Sequence, residues 1–161
     1  MVRPMESQHD DAPPVLVLAR LGTVMRRAFA ARMATEPWAS DAGLRPGSYS
    51  ILRAVAGADA PPSQRDLSDQ LGIDPSDLVG LIDVLEQAGF LTRERHPHDR
   101  RRHALRVTTD GAAALGHFDR VASTVANDVF GVLAASDRSV LEDLLGQVVA
   151  AHEADSTSAT A

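Results

Sequence analysis

The chain has 161 residues, 44% apolar and 24% charged, with 16 basic residues against 22 acidic ones. This length and apolar content fit one globular domain and exclude wholesale disorder. The absence of cysteine excludes disulfides, thiolate catalysis and cysteine-ligated zinc. No apolar run reaches the roughly 18 residues of a membrane span, and the N-terminus lacks the apolar region of a secretory signal. We therefore expect a cytoplasmic protein without a membrane partner.

A long helix is predicted near the N-terminus. Residues 1–12 are polar and are expected to be a disordered tail. After Pro13-Pro14, apolar residues recur at spacings of three and four, at Val15, Leu18, Leu21, Met25, Phe29 and Met33. These spacings are typical of one helical face. The helix should end before Pro37, because proline disfavours the α conformation in the preceding residue, and Trp38 to Gly43 should be a connection.

Two shorter helices follow, and both carry start and stop signals. The second helix is predicted to begin at Pro46 and to end at Gly57. Ser63 is expected to cap the third helix, with Asp66 completing a capping box and Gly72 ending the helix.

A fourth helix starts immediately after the third. Asp74 is a typical N-cap, Pro75 suits the first helical position, and Gly89 ends the helix. Its predicted buried side carries Leu78, Leu81, Ile82 and Leu85. Two capped helices joined by a short turn indicate a helix-turn-helix.

The hydrophobic period then changes from that of a helix to that of a strand. Phe90 to Arg95 is predicted as one strand and His103 to Thr108 as its return, with a polar tip at residues 96–102. A helix-turn-helix followed by a β-hairpin indicates a winged helix. We therefore predict a mainly α fold with a small β-hairpin wing.

Two more long helices complete the predicted fold. Thr108 is a candidate N-cap for a fifth helix that reaches Leu133. Ser136 is a candidate N-cap for a sixth helix. The small, polar residues 154–161 are expected to be a second disordered tail. The predicted architecture is thus a winged helix-turn-helix with long N- and C-terminal helices.

Charge is distributed unevenly along the chain. The formal net charge is −6, and every lysine-or-arginine position is arginine. Residues Arg93 to Arg106 nevertheless carry a balance of +4, whereas Asp119 to Asp155 carry −5. This separation predicts that the hairpin faces phosphates while the terminal helices stay away from them.

The residues from Leu67 to Leu91 resemble the helix-turn-helix of MarR-type (multiple antibiotic resistance regulator) transcriptional regulators. The hairpin is similar to that family's signature, Asp-x-Arg and then a strand ending in Thr-x-x-Gly, through Asp99, Arg101, Leu105, Val107, Thr108 and Gly111. The flanking helices match in number and order. The resemblance implies one MarR-type domain at residues 13–153.

This resemblance also implies a homodimer. Family members intertwine their first, fifth and sixth helices, which predicts dimerisation helices at about 15–36 and 110–153 and a DNA-binding part at about 46–111. The apolar stripes of the long helices are more than one small winged domain can cover, which fits an interface. A twofold dimer places its recognition helices about one DNA turn apart, so the operator should be a pseudo-palindrome of double-stranded DNA.

The predicted base contacts come from the fourth helix. Its groove side is expected to present Ser76, Asp77, Val79, Gly80 and Asp83, while Ser63 and Gln64 at the start of the third helix donate to phosphate. The fourth helix contains no basic residue. Either Ser76 and Asp77 read base edges, or recognition depends on the wing and on DNA shape.

The predicted wing contacts are made by arginine. Arg101 is expected to enter the minor groove, with Asp99 orienting its guanidinium. Arg95, Arg100 and Arg102 are expected to contact the DNA backbone and to make binding strongly dependent on salt.

A small aromatic or anionic effector is a further expectation from the resemblance, since family members often release DNA when such a compound binds. The predicted lining is Met25, Phe29, Trp38, Tyr49, Leu52 and Phe118, with Arg26 or Arg53 nearby. Each of these residues is equally compatible with an ordinary core position. The regulator is expected to be a repressor.

Other chemistry is not indicated. His96, His98, Asp99 and His103 cluster near the hairpin tip but are interpreted as surface residues, so no metal or other cofactor is predicted. No nucleophile motif or phosphate loop is present, and we predict no enzyme activity. The alternative that stays open is a winged-helix adaptor or antirepressor that contacts proteins without binding DNA.

Overall fold

The computed structural model describes residues 12–96 and 99–158, with side chains described at 12–94 and 104–152. The helices in this part of the chain are α1 (Pro14–Met33), α2 (Pro37–Asp41), α3 (Pro46–Gly57), α4 (Gln64–Leu71), α5 (Pro75–Gln87), α6 (Thr109–Phe130) and α7 (Ala135–Ser158). Strands β1 (Leu91–His96) and β2 (Asp99–Val107) form an antiparallel hairpin between α5 and α6. The predicted fold class, a mainly α winged helix, is confirmed. Residues 1–11 of the expected tail lie outside the described part.

The expected connection after α1 was wrong in one respect, because most of it is the short helix α2. Pro37 occupies the first helical position, where its missing N–H costs no hydrogen bond. The Trp38 indole N–H donates to the Glu36 carboxylate at 3.1 Å, which fixes the entry to the helix.

The last helix also differs from its prediction at both ends. Ser136 was expected to be the cap, but α7 begins at Ala135, so Ser136 lies in its first turn. The helix continues to Ser158, beyond the expected start of a tail at Ala154. No glycine or proline occurs between Gln147 and Ser158, so the sequence there contains no strong helix terminator.

The chain divides into two compact units, one ending at Ala122 and the other beginning at Ser123. The core of the first unit joins the helix-turn-helix to the hairpin. Its fully buried side chains include Ile51, Leu52, Leu67, Leu78, Ile82, Leu85, Leu91, Leu105 and Phe118. The predicted buried stripe of the fourth helix is thereby confirmed except at Leu81, which is only partly buried. Truncating any one of the fully buried leucines to alanine costs about 2–5 kcal/mol.

The hairpin is longer than predicted and irregular near its tip. Its register pairs Leu91 with Val107 and Arg95 with His103. The next pair is His96 with Asp99, so the register shifts between Arg95 and His96. The backbone of residues 99–102, expected in the polar tip, therefore belongs to β2.

A close backbone approach anchors the hairpin to α6. The Thr108 N–H donates to the Phe90 carbonyl at 3.1 Å, and the Thr108 hydroxyl donates to the Gly89 carbonyl at 2.6 Å. The same hydroxyl accepts from the Gly111 N–H at 2.9 Å, which makes Thr108 the predicted cap. A Cβ on Gly111 would lie 2.0 Å from the Phe90 carbonyl oxygen, so only glycine fits.

The second unit contains the end of α6 and all of α7. Arg138 on α7 donates to the Asn127 side chain on α6 and pairs with Glu142 at 2.8 Å. Several large apolar side chains of α7 remain exposed: Val140, Leu144, Val148 and Val149.

Candidate nucleic-acid interface and effector groove

The predicted helix-turn-helix is present as α4, a short turn and α5. Ser63 and Asp66 form the predicted capping box, with the Asp66 carboxylate accepting from the Ser63 N–H at 2.8 Å. Gly72 ends α4 with a φ of +61°, a left-handed conformation that glycine adopts without strain. Asp74 caps α5 by accepting from the Ser76 N–H at 2.8 Å. These local bonds fix the angle at which α5 leaves the turn.

The outer face of α5 carries four of the five residues predicted to face a DNA groove. The fifth, Asp83, is partly buried and pairs with Arg93. Ser76, Asp77 and Val79 are exposed, and Val79 is 41% exposed. A Cβ placed on Gly80 would meet nothing within 4 Å, so the space beside it is open. The Ser76 hydroxyl itself donates to the Asp74 carboxylate, which commits its proton to the cap.

Arg93 on β1, which was counted in the positive charge balance of Arg93 to Arg106, is engaged by acidic residues of α5. It forms ion pairs with Asp83 and Glu86, the two acidic residues on the second half of α5. Burial lowers the pKa of Arg93, but its hydrogen bonds and charge interactions with these carboxylates raise it above its ordinary value. The pairing neutralises part of the acidic charge of α5 and holds the hairpin against that helix.

The sequence reasoning missed this arginine–carboxylate cluster. The available signal was weak: two acids three residues apart on α5, followed by an arginine at an alternating strand position. Which strand residue reaches the helix depends on packing between elements, which a spacing rule does not contain.

The two residues predicted to contact phosphate from α4 differ in exposure. Ser63 is 4% exposed and its hydroxyl donates to Asp66 at 2.7 Å, so its side chain is committed to the capping box. This burial speaks against a phosphate contact through the Ser63 hydroxyl. Gln64, at the first position of α4, is only partly buried. The phosphate contact predicted for Gln64 stays a prediction.

The wing arginines stand at the tip of the hairpin, where only the backbone is described. Asp99, Arg100, Arg101 and Arg102 lie on β2 and Arg95 on β1, but their side chains lie outside the described residues. Nearer the base of the hairpin, Arg106 pairs with Glu94 across the two strands at 2.7 Å. The DNA contacts predicted for the residues at the tip of the hairpin therefore stay predictions.

Four of the six aromatic and apolar residues predicted to line an effector site form one stack in the first unit. Phe29 stacks on Tyr49 with ring centroids 5.5 Å apart, and Tyr49 stacks on Phe118 at the same separation. Trp38 meets Phe118 edge-on at 4.9 Å. Phe118 is fully buried, so these rings largely fill the space between them. Of the other two predicted residues, Met25 is partly exposed on α1 and Leu52 is fully buried in the core.

An open groove of about 400 Å³ lies beside this stack, between α3 and α4. It is lined by Tyr49, Ser50, Arg53, Ala54, Gly57, Ala58, Gln70 and Leu71. The Tyr49 hydroxyl donates to Asp119 at 2.9 Å, and the Arg53 guanidinium lies 3.6 Å from the same carboxylate. Arg53 is 64% exposed, so the groove has a cation at its edge and an aromatic ring in its wall.

The environment of Tyr49 predicts an unusual titration. Burial, and then its hydrogen bond to Asp119, raise the pKa of Tyr49 above its ordinary value of 10.0. The neutral phenol therefore stabilises the fold below pH 10, and this stabilisation is lost as pH rises through the folded-state pKa. Tyr49 is the sole tyrosine, so the phenolate absorbance of the folded protein should titrate with a midpoint above pH 10. Unfolding should return this midpoint to the ordinary value of tyrosine. Asp119→Asn should lower the midpoint only partly, because burial remains; a native midpoint at or below 10 would contradict the geometry.

Neither a cluster of metal ligands nor a membrane-spanning helix is found among the described residues. No group of three or more potential metal ligands occurs among them. The side chains of His96, His98, Asp99 and His103 lie outside that set, so the interpretation of this cluster stays a prediction. No helix in the described part of the chain has the length and apolar character needed to cross a bilayer.

A capped helix pair followed by an antiparallel hairpin defines a winged helix-turn-helix protein. Residues 42–102 match the MarR family. A protein of Thauera aromatica named for transcriptional regulation of the hcr operon is 31% identical over 103 residues, covering 64% of this chain. The match spans 61% of that relative, less than two thirds of its length.

Solved structures share this fold over most of the chain. Apo MarR of E. coli is 21% identical with a TM-score of 0.72, covering 85% of this chain and 97% of that one. CouR of Rhodococcus jostii RHA1 bound to p-coumaroyl-CoA is 25% identical with a TM-score of 0.64, covering 83% and 90% of the two chains. CouR bound to a 23-mer DNA duplex is 24% identical with a TM-score of 0.67, covering 85% and 92%. The chain is therefore similar to MarR-family proteins in sequence at residues 42–102 and in fold over most of its length.

Proposed function

We propose that this protein is a cytoplasmic, dimeric, sequence-specific DNA-binding transcriptional regulator, a repressor without catalytic activity. The observation that carries the proposal is the exposed outer face of α5, held at a fixed angle by its caps and followed directly by a hairpin containing five arginines from Arg93 to Arg102. A recognition helix entering the major groove beside a basic wing uses this arrangement.

The pairing of α5 with Arg93 weighs against the adaptor alternative. That alternative depends on an acidic fourth helix that would repel DNA. Asp83 and Glu86 both pair with Arg93, so the negative charge that α5 presents is smaller than its composition indicates. The remaining hairpin arginines then supply the attraction to phosphate. The similarity to a transcriptional regulatory protein and to CouR bound to DNA also supports DNA binding over the adaptor alternative.

Dimerisation is proposed from apolar surface that each unit leaves exposed. On α1 of the first unit, Val15, Leu16, Val17 and Leu18 are each about half exposed or more. On α7 of the second unit, Val140, Leu144, Val148 and Val149 are between 53% and 59% exposed. Contiguous apolar surface of this kind normally marks an interface. We propose dimerisation segments at about 15–36 and 110–153 around a DNA-binding part at about 46–111.

The wing role is tested by replacing its central arginine. Arg101→Ala should weaken binding to a fragment selected from genomic DNA by about tenfold to a hundredfold, because a minor-groove cation is lost. The dependence of affinity on salt should also become shallower. A mobility-shift titration at two salt concentrations measures both effects.

The matched control removes an exposed arginine outside the DNA-binding part. Arg45→Ala, between α2 and α3 and outside both proposed dimerisation segments, makes the same charge change and should leave affinity within about twofold, as surface substitutions distant from an interface usually do. If the two substitutions weakened DNA binding equally, the contribution of Arg101 would be a general electrostatic effect and not a specific contact. Full affinity of a folded Arg101→Ala variant would contradict the proposed role of the wing.

The effector proposal rests on the groove between α3 and α4. Its aromatic wall and the Arg53 guanidinium suit a planar aromatic compound bearing a carboxylate. The stack of Phe29, Trp38, Tyr49 and Phe118 then forms the support behind the site. CouR bound to p-coumaroyl-CoA shows a structural relative holding an aromatic, anionic ligand. For the compound to make the protein release DNA, it must bind one arrangement of the two recognition helices more tightly than another.

A panel of aromatic carboxylates tests the groove. Trp38 is the sole tryptophan, so its fluorescence should report binding. Arg53→Ala should weaken a bound compound by about tenfold while leaving DNA affinity unchanged, because a charge-assisted hydrogen bond is lost. A compound that releases DNA equally well from the wild-type protein and from Arg53→Ala would contradict this site.

A further inference from the structure

The side chain of Val79 is exposed in a way that its surroundings do not explain. Between Met25 and Ala122, it is the sole large apolar side chain that is exposed among the residues whose side chains the structure describes. The other exposed large apolar residues belong to the first part of α1 and to the segment from Val132 onward. A single exposed apolar residue is common on protein surfaces, but one at the centre of a helix face that meets a partner would contact an apolar group of that partner.

The chemistry around Val79 restricts what that group can be. The first two turns of α5 carry one side-chain donor, Ser76, whose hydroxyl proton is committed to Asp74. Gly80 adds no side chain, and Asp83 is paired with Arg93. The face therefore offers a branched apolar group and carboxylate acceptors, but no free donor for the N7 and O6 acceptors of purines.

The major groove presents one apolar group, the 5-methyl of thymine. We propose, on the basis of the DNA-binding function proposed above, that Val79 packs against this methyl group and makes each half-site specific for thymine. The open space beside Gly80 lets the helix approach the base edge without a clash. Recognition by α5 is then apolar and pyrimidine-directed, while the wing supplies most of the affinity.

The test removes one methyl group from each side of the contact. A duplex is first selected by the full-length protein from a randomised pool, and each thymine is then replaced by deoxyuridine. Binding is measured for the wild-type protein and for Val79→Ala. In the wild-type protein, loss of one methyl group in a half-site should weaken binding about fourfold. This factor corresponds to the free energy of burying one methylene group. Replacement in both half-sites should weaken it about tenfold or more.

Val79→Ala should bind the thymine and deoxyuridine duplexes with affinities within about 1.5-fold of each other. Gln87→Ala, on the exposed last turn of α5, is the control and should discriminate as the wild type does. Thermal unfolding checks that Val79→Ala is folded, which its exposure leads us to expect.

The outcomes separate this inference from the function on which it rests. If a duplex is selected but no single thymine distinguishes the wild type from Val79→Ala, the thymine contact is refuted and DNA binding stands. If Val79→Ala instead disrupts a contact with a protein and leaves the selected sequence unchanged, the inference is likewise refuted. If no duplex is enriched from the pool, both the inference and the proposed function fail.

Discussion

Gly111→Ala should lower the free energy of unfolding by about 3 kcal/mol or more and should abolish DNA binding near physiological temperature. A Cβ at this position would lie 2.0 Å from the Phe90 carbonyl oxygen and 2.9 Å from Cγ1 of Val107. The first contact is with backbone that already accepts a hydrogen bond from Thr108. Relief of the clash would therefore separate the hairpin from α6. Urea unfolding measures the loss.

Gly116→Ala, five residues further along the same helix, is the matched control. A Cβ there would approach only the Arg120 side chain, at 3.9 Å. Alanine should instead stabilise the protein by about 0.5–1 kcal/mol, because it is the better helix former. If both substitutions stabilise the protein to the same degree, the close approach between Phe90 and Gly111 is absent.

Leu144→Asp is expected to convert a dimer into a monomer and to weaken operator binding by on the order of a hundredfold or more. Leu144 is 53% exposed, between Val140 and Val148 on one face of α7, so a carboxylate there costs the single chain little. In a dimer interface the same carboxylate would be buried without a partner. Loss of the second recognition helix removes half of the DNA contacts. Sedimentation and mobility-shift titration measure the two effects.

Ser139→Asp supplies the control for this substitution. Ser139 is exposed in the second turn of α7 and points away from the face that carries Leu144 and Val148. It adds the same charge and should leave both the oligomeric state and the affinity unchanged. A Leu144→Asp variant that remains dimeric would place the interface elsewhere.

Local features of the fold were predicted well because their causes are local. The capping box of Ser63 and Asp66, the end of α4 at Gly72 and the cap at Thr108 each depend on residues within three positions of one another. The short helix α2 was missed because five residues are too few to show a helical period.

The candidate site was only partly predictable for the opposite reason. Ser63 was a reasonable phosphate donor by type, but its burial follows from a bridge to Ala104 across a large sequence separation. The pairing of Arg93 with Asp83 and Glu86, and of Asp119 with Tyr49 and Arg53, likewise depends on how distant elements pack. Sequence patterns identify which residues can form such contacts but not which of them meet.

We propose that the outer face of α5 and the arginine-rich hairpin together bind duplex DNA with sequence preference. The most direct measurement is competition between a duplex selected from genomic DNA and a shuffled duplex of equal length and composition, at physiological salt. We predict a preference on the order of a thousandfold for the selected duplex, with affinity for both duplexes falling steeply as salt increases. Equal affinity for the two duplexes, or no binding to either in dilute salt, would contradict the account.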